Sequence, residues 1–172
     1  MTIILGIDPG SRITGYGLVN QQGRQLSYID SGCIRTGDGE LSQRLLVIFN
    51  AICQLLETHQ PVQVAIEQVF MHQNASAALK LGHARGVAMV AAASHRLAVS
   101  EYSPREIKQA LVGHGGADKT QVNHMVRHIL NLNIVPQADA GDALAAAICH
   151  CHHISSPPAI SQYSRRRRRA KR

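Results

Sequence analysis

The chain has 172 residues, of which 45% are hydrophobic, and this is enough for one globular domain with a substantial core. Its formal net charge is +7, but the last eight residues, RRRRRAKR, carry seven of the 18 basic groups, so the remaining 11 basic groups balance the 11 acidic groups. The tail therefore produces the charge excess, and the rest of the chain is neutral overall. Net charge alone thus does not indicate that the folded body binds a polyanion.

The first part of the chain predicts three strands and a helix. Residues 2–7 form a continuous β-branched apolar run of the kind found in a buried central strand, and the run ends at Asp8. Residues 13–19 and 25–34 predict two further strands joined by a short hairpin connection. Apolar positions then recur at helical spacing across residues 41–56, which predicts one amphipathic helix.

The middle of the chain alternates strands and helices. Residues 62–66 predict a fourth strand, parallel to the first because the preceding helix serves as the crossover, and Glu67 follows it. An Ala- and Leu-rich stretch predicts a long helix over residues 74–93, and residues 97–102 predict a fifth strand. Ser103 then provides the N-cap of a short helix.

Two more helices and a basic tail complete the chain. Asp118 can cap a helix that runs to about residue 130, and a final helix is predicted from about residue 139 to residue 153. Ser-Ser-Pro-Pro follows, and the segment after it has no means of forming a core. We therefore predict one domain over residues 1–153 and a disordered basic tail over residues 154–172.

The order of these elements predicts an α/β fold of the ribonuclease-H-like type. Three antiparallel strands come first and parallel strands follow, so the expected sheet is five-stranded and mixed, with helices on its faces. In such a sheet Asp8 ends the central strand and Glu67 ends its parallel neighbour. Both carboxylates are then expected at one edge of the sheet.

Four carboxylates fit a site for a divalent metal. Asp8 and Glu67 are expected at the same sheet edge, while Asp139 and Asp142 are three residues apart and share one face of the last helix. Converging carboxylates repel one another unless a hard cation lies between them, and Mg²⁺ prefers oxygen ligands. Metal-assisted hydrolysis of a phosphodiester is therefore the leading hypothesis.

Each acidic residue also has a simpler interpretation. Asp8 could merely end a strand in a turn, Glu67 could pair with an arginine, and Asp139 could act only as a helix N-cap. Separately each signal is weak. Jointly, and in the order that this fold requires, the four residues favour a metal site.

The cysteines and histidines favour a structural interpretation. Cys33, Cys53, Cys149 and Cys151 lie within apolar patterns, so buried thiols in a reducing compartment are expected. The string CHCHH at residues 149–153 invites a zinc hypothesis, but neighbouring helix positions point in different directions. The N-terminal apolar run lacks the features of a signal peptide and no stretch reaches membrane-spanning length, so we expect a cytoplasmic protein.

Five motifs together resemble the bacterial Holliday-junction resolvases, the RuvC endonuclease family. They are GIDPGSRITGYG, AIEQVF, ALKLGHARGVA, IKQALVGHGGADKTQV and QADAGDALA, and the similarity runs from residue 1 to about residue 153. The resemblance implies an endonuclease of recombination and DNA repair, including the SOS response to DNA damage. It implies a homodimer that binds a four-way DNA junction and nicks two opposing strands symmetrically, with RuvA and RuvB as branch-migration partners.

The resemblance also implies roles for particular residues. Two Mg²⁺ ions, for which Mn²⁺ can substitute, would be held by the four carboxylates, with Asp8 bridging both ions. Lys119 and Lys108 would approach the cleaved or neighbouring phosphates, and the predicted helix over residues 74–93 would form the dimer contact. Phe70 would meet junction bases. The family likeness further suggests two DNA contacts on that helix, Lys80 and Arg85.

Two other functions are also compatible with this sequence. An actin-like or sugar-kinase-like ATPase builds a similar phosphate loop from the segment that begins at Asp8, although such folds need two domains of this kind. A junction-binding scaffold without cleavage is a second alternative. Judged on residue type alone, Phe70 is more often a core residue than a base contact, and Gly82 and Gly86 could serve packing within the chain. The arginine-rich tail favours nonspecific affinity for phosphate.

Overall fold

A computed structural model describes residues 1–69 and 75–155 of the chain. Within these residues five strands and five helices follow one another in the predicted order. Their bounds are β1 Thr2–Asp8, β2 Ile13–Gln22, β3 Gln25–Arg35, α1 Leu41–His59, β4 Gln63–Glu67, α2 Ala75–Ser94, β5 Ala98–Tyr102, α3 Pro104–Val112, α4 Lys119–Ile129 and α5 Ala138–Ser155.

The strands form one mixed sheet in the order β3-β2-β1-β4-β5. Strand β1 pairs antiparallel with β2, and β2 pairs antiparallel with β3. On its other side β1 pairs parallel with β4, which pairs parallel with β5. The prediction of three antiparallel strands followed by parallel strands in a ribonuclease-H-like α/β fold is therefore confirmed.

Each face of the sheet carries its own apolar core. Helices α1 and α2 pack together on one face, where Ile48 and Ala88 are fully buried. Helices α3, α4 and α5 cover the other face, where α5 lies directly on β1 and β2 and buries Leu144 and Ile148 completely. Full burial of such a side chain stabilises the fold by about 1.5–3 kcal/mol. The last helix is thus anchored over the centre of the sheet.

Side-chain caps fix where the two short helices begin. The Ser103 hydroxyl accepts a hydrogen bond from the backbone N–H of Glu106, and the Glu106 carboxylate accepts one from the Ser103 backbone N–H, as the sequence predicted for α3. Asp118 and Gln121 make the same reciprocal pair at the start of α4. Both helices therefore begin at defined positions beside the carboxyl end of the sheet.

The chain departs from the predicted bounds at the first hairpin and at the end of the last helix. The hairpin between β2 and β3 turns at Gly23, whose φ of 61° suits glycine. Helix α5 continues through Ser155, so the first two residues of the expected tail are helical, and the rest of that segment lies outside the described residues. In the part of the chain that the structure describes, no helix is long and apolar enough to cross a membrane.

Candidate active site at the acidic edge of the sheet

Two strands bring the first pair of carboxylates together. Asp8 is the last residue of β1 and Glu67 is the last residue of β4. The two strands are parallel neighbours, with Ile7 opposite Ile66, so they end side by side. Both acidic residues are half-buried there. The predicted convergence of Asp8 and Glu67 follows directly from this register.

Glycines on β1 and β2 let the backbone of α5 touch the sheet. Gly15 is the partner of Asp8 across the antiparallel pair, and a Cβ atom added at Gly15 would lie 2.0 Å from the carbonyl oxygen of Asp139. A Cβ atom at Gly6 would lie 2.0 Å from the carbonyl oxygen of Ala143. No side chain fits at either strand position. The glycines therefore set how closely the start of α5 approaches Asp8.

The same helix supplies the second pair of carboxylates. Asp139 is the second residue of α5 and Asp142 follows one turn later, and both are half-buried. Asp139 lies inside the helix, so the simpler interpretation of this residue as an N-cap is not supported. With α5 seated on the glycines, both aspartates face the carboxylate of Asp8 closely enough to raise its pKa.

Burial and mutual repulsion perturb the titration of the two strand residues. The pKa of Asp8 is raised to about 7, first by burial and then by the charges of Asp142 and Asp139. The pKa of Glu67 is raised to about 8 by burial and by the charges of Asp8 and Asp142. Such shifts are typical of functional sites in which like charges are held together.

Two lysines face this cluster from α3 and α4. The Lys119 Nζ atom lies 2.8 Å from Asp142 Oδ2, and this contact raises the pKa of Lys119. Lys108 and Lys119 also lower the pKa of Glu67 in opposition to the larger raising effects. A cavity of about 190 Å³ opens between the lysines and the carboxylates of Glu67 and Asp142. Positive charge therefore lines the side of the cluster that a phosphate would enter.

The chemistry of the four carboxylates fits a hard divalent cation. All the acidic groups are oxygen donors, and the pKa values of Asp8 and Glu67 are raised first by burial and then by the neighbouring carboxylates, which Lys119 opposes only in part. Among residues 1–69 and 75–155, no three His, Cys, Asp or Glu side chains lie close enough together to enclose an ion by themselves. The fit to a metal therefore rests on the donor type and on the mutual repulsion of the neighbouring carboxylates.

The loop after Asp8 is braced by contacts that the sequence did not reveal. The Thr14 hydroxyl is fully buried, donates to the Gly10 carbonyl at 2.7 Å and accepts from the Gly10 N–H at 3.2 Å. Arg44, a buried residue of α1, donates to the Ser11 carbonyl at 3.2 Å. These bonds fix the loop that leaves the acidic edge. The helical pattern predicts that Arg44 lies on the solvent side of this helix, so its burial here corrects that prediction, and no pattern in the sequence indicated the contact.

The remaining predicted site residues occupy different surroundings. Phe70 lies outside the described residues. Lys80 is exposed on α2, whereas Arg85 on the same helix donates from Nε to Glu101 Oε1 at 2.6 Å. Glu67, by contrast, makes no ion pair among the described residues.

The string CHCHH in the second half of α5 is engaged in protein contacts. The Tyr102 hydroxyl lies 2.7 Å from His150 Nδ1, and Gln63 Oε1 lies 2.8 Å from His150 Nε2. A neutral imidazole that donates from Nε2 and accepts at Nδ1 satisfies both partners. Burial lowers the pKa of His150 and raises the pKa of Cys149 and Cys151 to about 12. These side chains tie α5 to β4 and β5.

Comparison with known proteins assigns the family. Residues 4–150 match the family model described as crossover junction endodeoxyribonuclease RuvC. The crossover junction endodeoxyribonuclease RuvC of Legionella pneumophila (strain Corby) is 65% identical over 153 residues, which is 88% of each chain. The corresponding protein of Marinobacter nauticus is 59% identical over 152 residues, 88% of this chain and 87% of that one.

A solved structure agrees with this match. The structure of Thermus thermophilus RuvC in complex with a Holliday junction substrate superposes with a TM-score of 0.86 at 33% identity, covering 90% of this chain and 96% of that chain. The family-model match over residues 4–150 includes the strand ends and the start of the helix that carry the four carboxylates. The chain therefore belongs to the RuvC family of crossover junction endodeoxyribonucleases.

Proposed function

We propose that this chain resolves four-way DNA junctions in recombination and repair by nicking two opposing strands symmetrically. The observation that carries the proposal is the half-buried carboxylate cluster, in which the pKa values of Asp8 and Glu67 are raised to about 7 and about 8. The RuvC family, to which the chain belongs, consists of metal-dependent nucleases. Membership of that family also sets aside the ATPase alternative.

We propose two Mg²⁺ ions as the cofactor, with Mn²⁺ as a substitute. Asp8 lies between Glu67 on the neighbouring strand and the aspartates of α5, and its carboxylate would hold the ions together with those residues. Glu67, Asp139 and Asp142 complete the set of ligands. When bound, the ions lower the pKa of a coordinated water and offset the negative charge of the phosphate. The expected products carry a 5′-phosphate and a 3′-hydroxyl.

The lysines act on the substrate phosphate. Lys119 lies between Asp142 and solvent, with 70% of its side chain exposed, so it can move from the carboxylate to an incoming phosphate. Lys108 lines the same cavity. Both cations offset charge that develops on the phosphate during hydrolysis. Lys80 is an exposed candidate for a further DNA contact, while Arg85 would have to exchange Glu101 for a phosphate to serve in this way.

Two symmetric nicks require two sites, and α2 offers a surface for a second copy of the chain. Leu79 and Val90 on this helix are 65% and 60% exposed. A Cβ atom added at Gly82 or Gly86 would meet no other atom within 4 Å, so a second backbone could approach closely there. We propose that the chain forms a homodimer through α2. The dimer would act in the cytoplasm with RuvA and RuvB as its partners in branch migration. We also propose that Phe70 contacts junction bases.

The first test is cleavage of a labelled synthetic four-way junction, compared with a linear duplex of the same sequence, on a denaturing gel. Paired nicks in the junction alone, present with Mg²⁺ and absent with EDTA, are the expected result. A junction that is bound but stays intact under varied metals and arm sequences would overturn the proposal in favour of a binding scaffold.

A further inference from the structure

A groove of about 720 Å³ lies beside the acidic edge and shares no lining residue with the cavity between the lysines and carboxylates. Strand β3 forms one wall, and the connection from α4 to α5 forms the other. The lining residues are Tyr28, Ser31, Gly32, Cys33, Arg35, Leu132, Asn133, Ile134, Val135, Pro136, Gln137 and Ala140. None of them has a role in the catalytic arrangement described above.

The sheet register places this groove next to the carboxylates. Asp8 is opposite Gly15 on β2, and Gly15 is opposite Cys33 on β3. Neighbouring strands lie about 4.8 Å apart, so the backbone at Cys33 is about 10 Å from that at Asp8. This separation equals about three base steps along one DNA strand, at roughly 3.4 Å each. The groove therefore continues the catalytic edge at a distance that a bound DNA arm covers.

The first turn of α5 stands between the two sites. The Asp139 carbonyl lies over Gly15, while Ala140, the next residue, lines the groove. One turn of helix thus presents its carboxylates on one side and an uncharged surface on the other. A strand of DNA that reaches the carboxylates has a short path over this turn into the groove.

The lining has the chemistry of a nucleic-acid contact. Arg35 is its one charged residue, is exposed, and has no carboxylate within 4 Å among the described residues. Tyr28 is 40% exposed and offers a ring for stacking. Asn133 and Gln137 are exposed amides, and Ile134 is 79% exposed at the rim. A cation, a ring, amides and an apolar rim suit the phosphate, base and sugar of DNA.

We propose that this groove holds the arm of the junction that leaves the catalytic centre on the β3 side, with Arg35 on a phosphate and Tyr28 against the sugar or base. The inference rests on the proposed function, since it assumes that the substrate is junction DNA. It adds a contact surface on the face of the molecule opposite the α2 dimer surface.

A native cysteine allows a direct test. Cys33 lines the groove, and Cys53 on α1 is also half-buried but lies on the other face of the sheet. Burial raises the pKa of Cys53, so each thiol is compared with itself, with and without DNA, and Cys53 serves as the control for effects away from the groove. Cys149 and Cys151 are buried with pKa values raised to about 12, so they react slowly with alkylating reagents. The full-length protein is alkylated with and without a synthetic four-way junction in Ca²⁺, and modification at each cysteine is followed by mass spectrometry.

The junction is expected to slow alkylation of Cys33 at least tenfold and to leave Cys53 unchanged. If the reactivity of Cys33 is unchanged in a complex that cuts once Mg²⁺ is added, the groove does not hold the DNA arm, while the proposed function stays intact. A sample that neither binds nor cuts the junction would count against both. Protection of Cys33 that appears on raising protein concentration without DNA would assign the groove to contact between copies, and would also overturn the inference.

A substitution at Arg35 tests whether DNA contacts the groove directly or protects Cys33 indirectly. Arg35→Gln is expected to lower the slope of log affinity against log salt by about 1, as the loss of one phosphate contact does. Arg24→Gln is the matched control, because Arg24 is an exposed arginine in the β2–β3 turn at the other end of the sheet. Equal slopes for Arg35→Gln and the wild type would overturn the contact to phosphate.

Discussion

The two halves of helix α5 are held by different interactions. The first half carries Asp139 and Asp142 beside Asp8, where burial and repulsion raise the pKa of the strand carboxylate to about 7. The second half carries His150, whose two ring nitrogens both have partners on the sheet. The satisfied half and the backbone contacts therefore hold the helix in place. The acidic half can then stay in an arrangement that its own charges oppose.

The largest effect on cleavage is expected from Asp8→Asn. The change removes a carboxylate that is proposed to hold the metal, and because such ligation contributes several kcal/mol to transition-state stabilisation, the rate should fall about 1000-fold or more. Junction binding should persist. Cleavage is measured on a synthetic junction in Mg²⁺, with Asp38→Asn as the control, since Asp38 is an exposed partner of Arg12.

The same variant should be more stable than the wild type without metal. The folded-state pKa of Asp8 is raised from 3.8 to about 7, so the stability that the protonated group contributes is complete below 3.8 and is lost as the pH rises through 7. Asparagine avoids this loss. At pH 8 we expect a gain of at least about 1 kcal/mol in the free energy of unfolding, which shrinks towards pH 4. A variant less stable than the wild type at pH 8 in EDTA would contradict the role of repulsion.

Gly15→Ala should reduce cleavage by about 100-fold, because a displacement of about 1 Å in a catalytic group can cost that much. The new Cβ atom would lie 2.0 Å from the Asp139 carbonyl oxygen, so the first turn of α5 must move. Weaker Mn²⁺ binding should accompany the loss, while junction binding and the circular dichroism spectrum stay near wild type. Gly116→Ala is the control, since no atom lies within 4 Å of its added Cβ. Wild-type cleavage by Gly15→Ala would show that the close approach is dispensable.

The smallest effect on cleavage is expected from His150→Leu, which acts on the satisfied half of α5. Loss of the imidazole leaves the Tyr102 hydroxyl and the Gln63 amide without their buried partner, which costs about 1–3 kcal/mol of stability. At temperatures where the variant is folded, its cleavage rate should stay within about threefold of the wild type. A much larger loss of activity would mean that this network also positions the carboxylates.

The pH dependence of stability checks the same network. Burial lowers the pKa of His150 in the folded protein, so the unfolded chain takes up the proton more readily. The contribution of His150 is therefore complete above its ordinary pKa of about 6.5 and is lost as the pH falls below that value. Asp8 and Glu67 change stability in the opposite direction over this pH range, but they do so equally in every variant. In urea unfolding, the stability difference between the wild type and His150→Leu should therefore be smaller at pH 5.5 than at pH 8, whereas the difference between the wild type and His114→Gln, an exposed control, should not change.

Much of the acidic site was predictable from local patterns. An acidic residue that directly follows an apolar strand is visible in the sequence at Asp8 and Glu67, and the fold order says that these strand ends meet. The reciprocal cap of Ser103 and Glu106 was also predictable, because its partners are three residues apart. Local chemistry and a known order of elements suffice for such features.

Contacts between distant segments were not predictable in this way. Gly15 meets Asp139, and Gln63 meets His150, only after the last helix has packed on the sheet. The groove at Cys33 exists because the connection between α4 and α5 folds over β3. Nothing in the periodicity of either partner indicates the other, since each pattern reports only burial. The sequence therefore located the acidic residues but not the contacts that space them.

The distribution of the site along the chain links activity to the completion of folding. The carboxylates come from residues 8, 67, 139 and 142, and the last two reside on the final described helix. A nascent or truncated chain that lacks α5 has only the strand carboxylates and no glycine-seated helix to complete them. Such a chain cannot bring the four carboxylates together, so under the proposed function it would not cut DNA, and the onset of cleavage during refolding would report the docking of this one helix.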